Sequence, residues 1–122
     1  MGLQEQPLNV LAAEVTIAQG ASLSGLIDTR GLPLVGVLMP ATWDPADVTF
    51  QSSIDGTTFG NCFDREGNEI KMVNGAAVSR AFHIAPSVLP GVRFVKVRSG
   101  TTATPVSQGS ARVLTLLFRL VE

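Results

Sequence analysis

The sequence predicts an all-β, single-domain fold of eight or nine antiparallel strands: a β-sandwich, jelly roll or small barrel. Three observations carry this expectation. No long segment repeats apolar residues at i, i+3, i+4 and i+7, the signature of an amphipathic helix. Short runs rich in Val, Ile, Leu, Phe and Thr recur instead, each closed by Gly, Pro, Asn or Asp. The runs follow one another at intervals of about ten to fourteen residues, the spacing of two-layer β architectures. With 122 residues, 45% of them hydrophobic, the chain has material for one core and is not a disordered tail.

Taken in order, strands are expected at Ala13–Ile17, Ser22–Asp28, Leu34–Met39, Val48–Ile54, Phe59–Phe63, Ile70–Val73, Arg80–Ile84, Arg93–Arg98 and Arg112–Val121. Residues 1–12 read as an N-terminal arm and 13–122 as the sandwich domain. In Val48–Ile54, apolar Val48, Phe50 and Ile54 alternate with polar Thr49, Gln51 and Ser53, so one face should be buried and the other wet. The last strand is apolar at Leu114, Leu116, Phe118 and Leu120 and half apolar between them, which predicts a central, largely buried strand. Asp55-Gly56 and Glu66-Gly67-Asn68 are turn signals that should delimit a meander. Pro33, Pro40, Pro45, Pro86 and Pro90 fall near strand ends, where a missing N–H costs no ladder bond. The loop Ser99–Ala111 is long for a compact domain, which marks it, with the arm, as a candidate contact element.

The chemistry that is absent narrows function. One histidine, His83, and one cysteine, Cys62, leave no His/Cys zinc set and no evident Ser/His/Asp device. Asp64-Arg65-Glu66-Gly67-Asn68-Glu69 lacks calcium-loop spacing and reads as a solvated turn. Gly20–Gly25 lacks the Lys-Ser/Thr of a phosphate loop. A non-enzymatic protein without cofactor or metal is expected. Net charge is −1 and the nine basic residues are dispersed, so no nucleic-acid footprint is evident. No apolar run is long enough to span a bilayer and no secretory leader is recognisable. The lone cysteine fits folding in a reducing cytoplasm.

Side chains suited to contacts remain. Trp43 either caps one end of the core or serves as an interface anchor or a sugar platform. Lys96 and Arg98 share one strand face, with Arg93 expected on the opposite one, and a pair of cations there could meet a neighbour's carboxylate. Thr101, Thr102, Thr104 and Gln108 line the long loop.

Leu34-Val35-Gly36-Val37-Leu38-Met39-Pro40 followed by Trp43, then Val48–Phe59, then Arg93-Phe94-Val95-Lys96-Val97-Arg98-Ser99-Gly100, resembles small proteins encoded in the structural modules of tailed bacteriophages and prophages. The resemblance covers most of the chain. The central part is also similar to the discoidin or galactose-binding-like jelly roll, in which one strand ends S-x-D-G-x-T-F/W and a later one reads R-F/Y-V-K/R-V/I. The resemblance implies a jelly-roll-like virion protein, made in the host cytoplasm and packed as a homo-oligomer against the major capsid protein or other virion proteins. A head decoration or cement role is the leading expectation. The alternative is a tail adsorption module that binds a host glycan. Trp43, Lys96, Arg98, Thr101, Thr102, Thr104 and Gln108 are the candidate subunit or glycan contacts.

Overall fold

The computed structural model describes residues 10–89 and 92–120. Nine strands form two sheets: β1 (Val10–Ile17), β2 (Ile27–Asp28), β3 (Leu34–Leu38), β4 (Val48–Ser53), β5 (Gly60–Asn61), β6 (Lys71–Met72), β7 (Ala81–His83), β8 (Phe94–Ser99) and β9 (Arg112–Arg119). All nine coincide with expected strands. One sheet has the order β1-β9-β3-β7; the other runs β2-β8-β4-β5, with β6 also on β4. Every pairing is antiparallel. The first strand pairs with the last, and the chain passes back and forth between the sheets, which is jelly-roll connectivity.

Two-residue alternation supplies the core. Ile17, Val37, Leu114 and Leu116 of the four-stranded sheet face Val48, Phe50, Val95 and Val97 of the other, each at most 1% exposed. β9 is central, as expected, laddered to β1 over eight residue pairs and to β3 on its other side. Its buried face is Leu114, Leu116 and Phe118; Thr115 and Leu117 are half-buried and Val113 is exposed, so β9 is buried on one face only.

Four expectations need correction. The segment Ser22–Asp28 is regular strand only at its end, because Ser24 takes the place of a ladder pair. Its backbone N–H donates to the Val97 carbonyl, and its hydroxyl accepts from the Val97 N–H at 2.9 Å. β4 does not have a wet outer face throughout: Thr49 is fully buried and Ser53 nearly so, whereas Ile54 lies past the strand end, 84% exposed. Asp55 and Glu66-Gly67-Asn68 do make turns, with Gly56 and Gly67 at positive φ. They do not delimit a meander, however, since β5 and β6 both pair with β4. The two form one broken strand, interrupted by a hairpin closed where the Ile70 N–H donates to the Cys62 carbonyl. Finally, β1 begins at Val10, so the end of the expected arm is strand; residues 1–9 and Pro90 lie outside the described residues.

The loop after β8 is anchored rather than loose. The Gly100 N–H donates to the Asp47 carbonyl at 2.7 Å, and the Thr49 hydroxyl donates to the Gly100 carbonyl at 2.7 Å. Gly100 has φ +95°, and a Cβ there would lie 2.4 Å from the Thr104 carbonyl oxygen and 2.7 Å from the Val106 nitrogen. Both atoms are backbone, so nothing nearby can yield. Gly100→Ala should therefore cost roughly 3 kcal/mol through strain and overpacking. Thermal unfolding followed by circular dichroism should show Tm lowered by about 10 °C.

Candidate functional site

The structure separates the seven candidate residues into two groups. Trp43 and Gln108 close one end of the sandwich. Trp43 is 6% exposed, and its indole N–H donates to the Ala46 carbonyl at 3.0 Å. This is the core-cap arrangement, and the ring presents no platform. Gln108, 1% exposed, is a hub rather than a surface contact. Its amide oxygen accepts from the Asp44 N–H and from Arg112 Nε, and its amide nitrogen donates to the Asp44 carbonyl and to Ser99 Oγ. Arg112 also bonds Thr42 and pairs with Asp44 at 3.3 Å. These bonds hold the Trp43 loop to the end of the long loop.

Lys96, Arg98, Thr101, Thr102 and Thr104 lie on or beside the outer face of the five-stranded sheet. β4–β8 register sets Thr49 beside Arg98, Gln51 beside Lys96 and Ser53 beside Phe94. Arg98, however, is buried at 6% exposure. One guanidinium nitrogen donates to Thr49 Oγ1, Glu69 Oε2 and Thr102 Oγ1 at 3.0–3.3 Å, and the other donates to Asn61 Oδ1. Glu69 in turn accepts from the Thr102 backbone N–H and hydroxyl. Arg98 thus ties the hairpin after β5 and the Thr101–Thr104 turn down over the sheet, and offers no free charge to a neighbour. Lys96 sits 4.4 Å from the Phe59 ring centroid, a cation–π contact. Arg93 departs from the expected facing: its guanidinium bonds Asp28 in a bidentate pair and lies 5.1 Å from the centre of the Phe94 ring, on the same outer side.

His83 is exposed on edge strand β7, and burial pushes the Cys62 thiol pKa up, away from the reactive thiolate. Among the described residues no group of three or more His, Cys, Asp or Glu could hold a metal ion. The carboxyl of Asp55 is lowered to about 2 because it accepts the Thr58 and Thr57 N–H groups and the Ser53 hydroxyl. That of Asp28 is also lowered to about 2, by Arg93 and by the Arg30 N–H. Both are turn and edge fastenings.

The opposite face, on the β1-β9-β3-β7 sheet, gave no sequence signal because its residues are ordinary strand formers. Register places Val10, Ala12, Glu14 and Thr16 of β1 beside Arg119, Leu117, Thr115 and Val113 of β9, followed by Gly36 and Leu38 of β3. Val10, Leu38 and Val113 are 46%, 37% and 44% exposed. A hollow of ≈ 560 Å³ opens here, lined by half-buried or buried Val35, Ile84 and Leu117 and by exposed Val10, His83, Pro86 and Arg119. No polar network like that of Arg98 covers this face among the described residues. No protein-family model matches the chain, and no curated protein matches it.

Two outcomes test this account. Arg98→Ala should destabilise the fold by about 3–5 kcal/mol, because it leaves the nearly buried Glu69 carboxylate unpaired. The double variant Arg98→Met/Glu69→Gln should lose less than the single one, as read from urea denaturation. Asp55 has a folded pKa below its ordinary value of 3.8, so its contribution to stability is present above about pH 4 and lost as pH falls through about 2. Asp55→Asn should lower Tm at neutral pH, and the difference from wild type should vanish below about pH 2.

Proposed function

We propose that the protein is a non-enzymatic structural component of a tailed-phage virion, a decoration or cement protein that works in many copies by packing against neighbouring subunits. The observation that carries this reading is the bare, largely apolar outer face of the β1-β9-β3-β7 sheet. On a single soluble domain such a face marks a contact surface. The resemblance of the Leu34–Phe59 and Arg93–Gly100 segments to phage structural-module proteins points the same way. So does the jelly-roll connectivity, an architecture used in capsid subunits.

Use of the polar side chains supports a role in packing over one in chemistry. Arg98, Glu69, Gln108, Asp44 and Arg112 are engaged with one another and with the backbone. Trp43, the aromatic group best suited to stack on a sugar, is enclosed. The partners are the major capsid protein or other virion proteins, and the protein's place is the assembled particle. Density for the chain at regularly repeated positions in cryo-electron microscopy of intact particles is the expected result. Recovery of the protein solely in the particle-free fraction of a lysate would overturn the reading.

A further inference from the structure

We propose that the outer face of the four-stranded sheet is a self-contact: two copies pack face to face about a two-fold axis, each inserting Leu38 into the hollow of the other and pairing Glu14 with Arg119 of its partner. The inference deepens the multi-copy role proposed above and rests on that reading for its biological setting.

Charge is the first argument. The chain has nine basic and ten acidic side chains, and five ion pairs occupy ten of them. Asp55 and Asp64 accept turn N–H groups, and Lys96 and Arg80 lie over Phe59 and Phe82. Among the described residues this leaves Glu14, Arg30 and Arg119 with neither an ionic nor an aromatic partner. Two of these three stand on the bare face, with opposite charges.

Their placement is self-complementary. Ala12 is opposite Leu117; Val10–Arg119 lies two residues to one side of that pair and Glu14–Thr115 two residues to the other. Glu14 and Arg119 are thus separated by about 13 Å along the strands, at about 3.3 Å per residue. A two-fold axis lying in the interface, across the strands at the level of Ala12 and Leu117, exchanges those two levels. It brings each Glu14 level with the partner's Arg119 and one strand, about 4.8 Å, to its side, within reach of the two long side chains in an isologous contact.

The same axis acts on β3 and β7. Gly36 is level with Leu117 and with His83, and Leu38 is level with Thr115. The exposed Leu38 therefore lies on one side of the axis and the hollow floored by Val35 and Ile84 on the other. Rotation sets the knob of each copy over the hollow of its partner. One operation therefore satisfies the charges and the apolar shapes together. The face measures roughly 20 Å on a side, about 400 Å² per copy and about 800 Å² in all, below the standard interface size, so a weak contact with a dissociation constant of about 100 µM is expected.

The test is sedimentation equilibrium of the full chain from about 1 to 500 µM, a range that brackets that constant. Wild type should form a dimer. Glu14→Arg and Arg119→Glu should each weaken it about tenfold or more, and the double swap Glu14→Arg/Arg119→Glu should restore it, since only the swap re-forms both pairs. Leu38→Asp should abolish association with an unchanged circular dichroism spectrum, because the side chain is already partly exposed. A wild type that stays monomeric throughout, or a double swap no stronger than the single variants, would overturn the self-contact. Neither result touches the virion role, which fails separately if the protein is absent from particles.

Discussion

The covered face of this sandwich depends on one buried cation. A jelly roll has two outer sheet faces, and each must be solvated, covered by its own chain, or covered by something else. Arg98 projects from near the C-terminal end of β8 onto the outer side and is enclosed there by Glu69, Asn61, Thr49 and Thr102. A guanidinium out of water is tolerated only when its donors are used, and using them requires that the hairpin between β5 and β6 and the Thr101–Thr104 turn lie down on the sheet. The break in the strand formed by β5 and β6 accompanies this, because the chain leaves β4 after Cys62, whose N–H still donates to the Phe50 carbonyl, and returns with Glu69 lying across the sheet.

The far end of the same loop is governed by a similar demand. Gln108 and Arg112 are buried polar groups adjacent to the core, and their partners come from the segment that carries Trp43. Gly100 links the two anchorages. With backbone closing on it from Thr104 and Val106, it lets the loop fold back at once into the Thr101–Thr104 turn. A loop of this length is held by satisfied hydrogen bonds at both ends, and its rigidity therefore follows from buried polar chemistry more than from apolar packing.

Much of the fold was legible in the sequence. All nine strands fall where runs of strand formers closed by turn residues place them, and β9 is central as its apolar density implies. What stayed hidden has physical causes. A polar residue in a strand ordinarily faces solvent, and nothing local reveals that a loop some fifty residues later covers Thr49; Ser53 is enclosed by the Asp55-Gly56 turn that follows it, whose N–H groups its hydroxyl accepts. The shortening of β2 comes from Ser24 using its hydroxyl in place of a backbone group, a substitution that residue type permits but does not announce. Arg93 lies one residue before β8, where strand parity no longer governs, and its long side chain bonds Asp28, the register partner of Phe94. Of the candidate contacts, Lys96, Arg98 and Thr102 do share one face, although Arg98 is consumed there. Strand order, and with it the bare face, is a long-range property that no local pattern carries.

The low charge of the chain, 16% of residues, acquires a structural meaning from this division of faces. Nineteen Ser and Thr residues supply hydroxyls where other domains use charges. Hydroxyls do not account for where the charges lie. They concentrate in the networks that bind loops to the five-stranded sheet and the sandwich end, where a charge-assisted bond is worth more than a neutral one. Among the described residues the outer face of the four-stranded sheet carries two, Glu14 and Arg119, although it is no better protected by the described chain. A domain that needed only to remain soluble alone would distribute its charges over both faces. An apolar centre with two opposite charges beside it is the arrangement expected of the contact surface proposed above, since interface cores are depleted of charge and rimmed by polar groups.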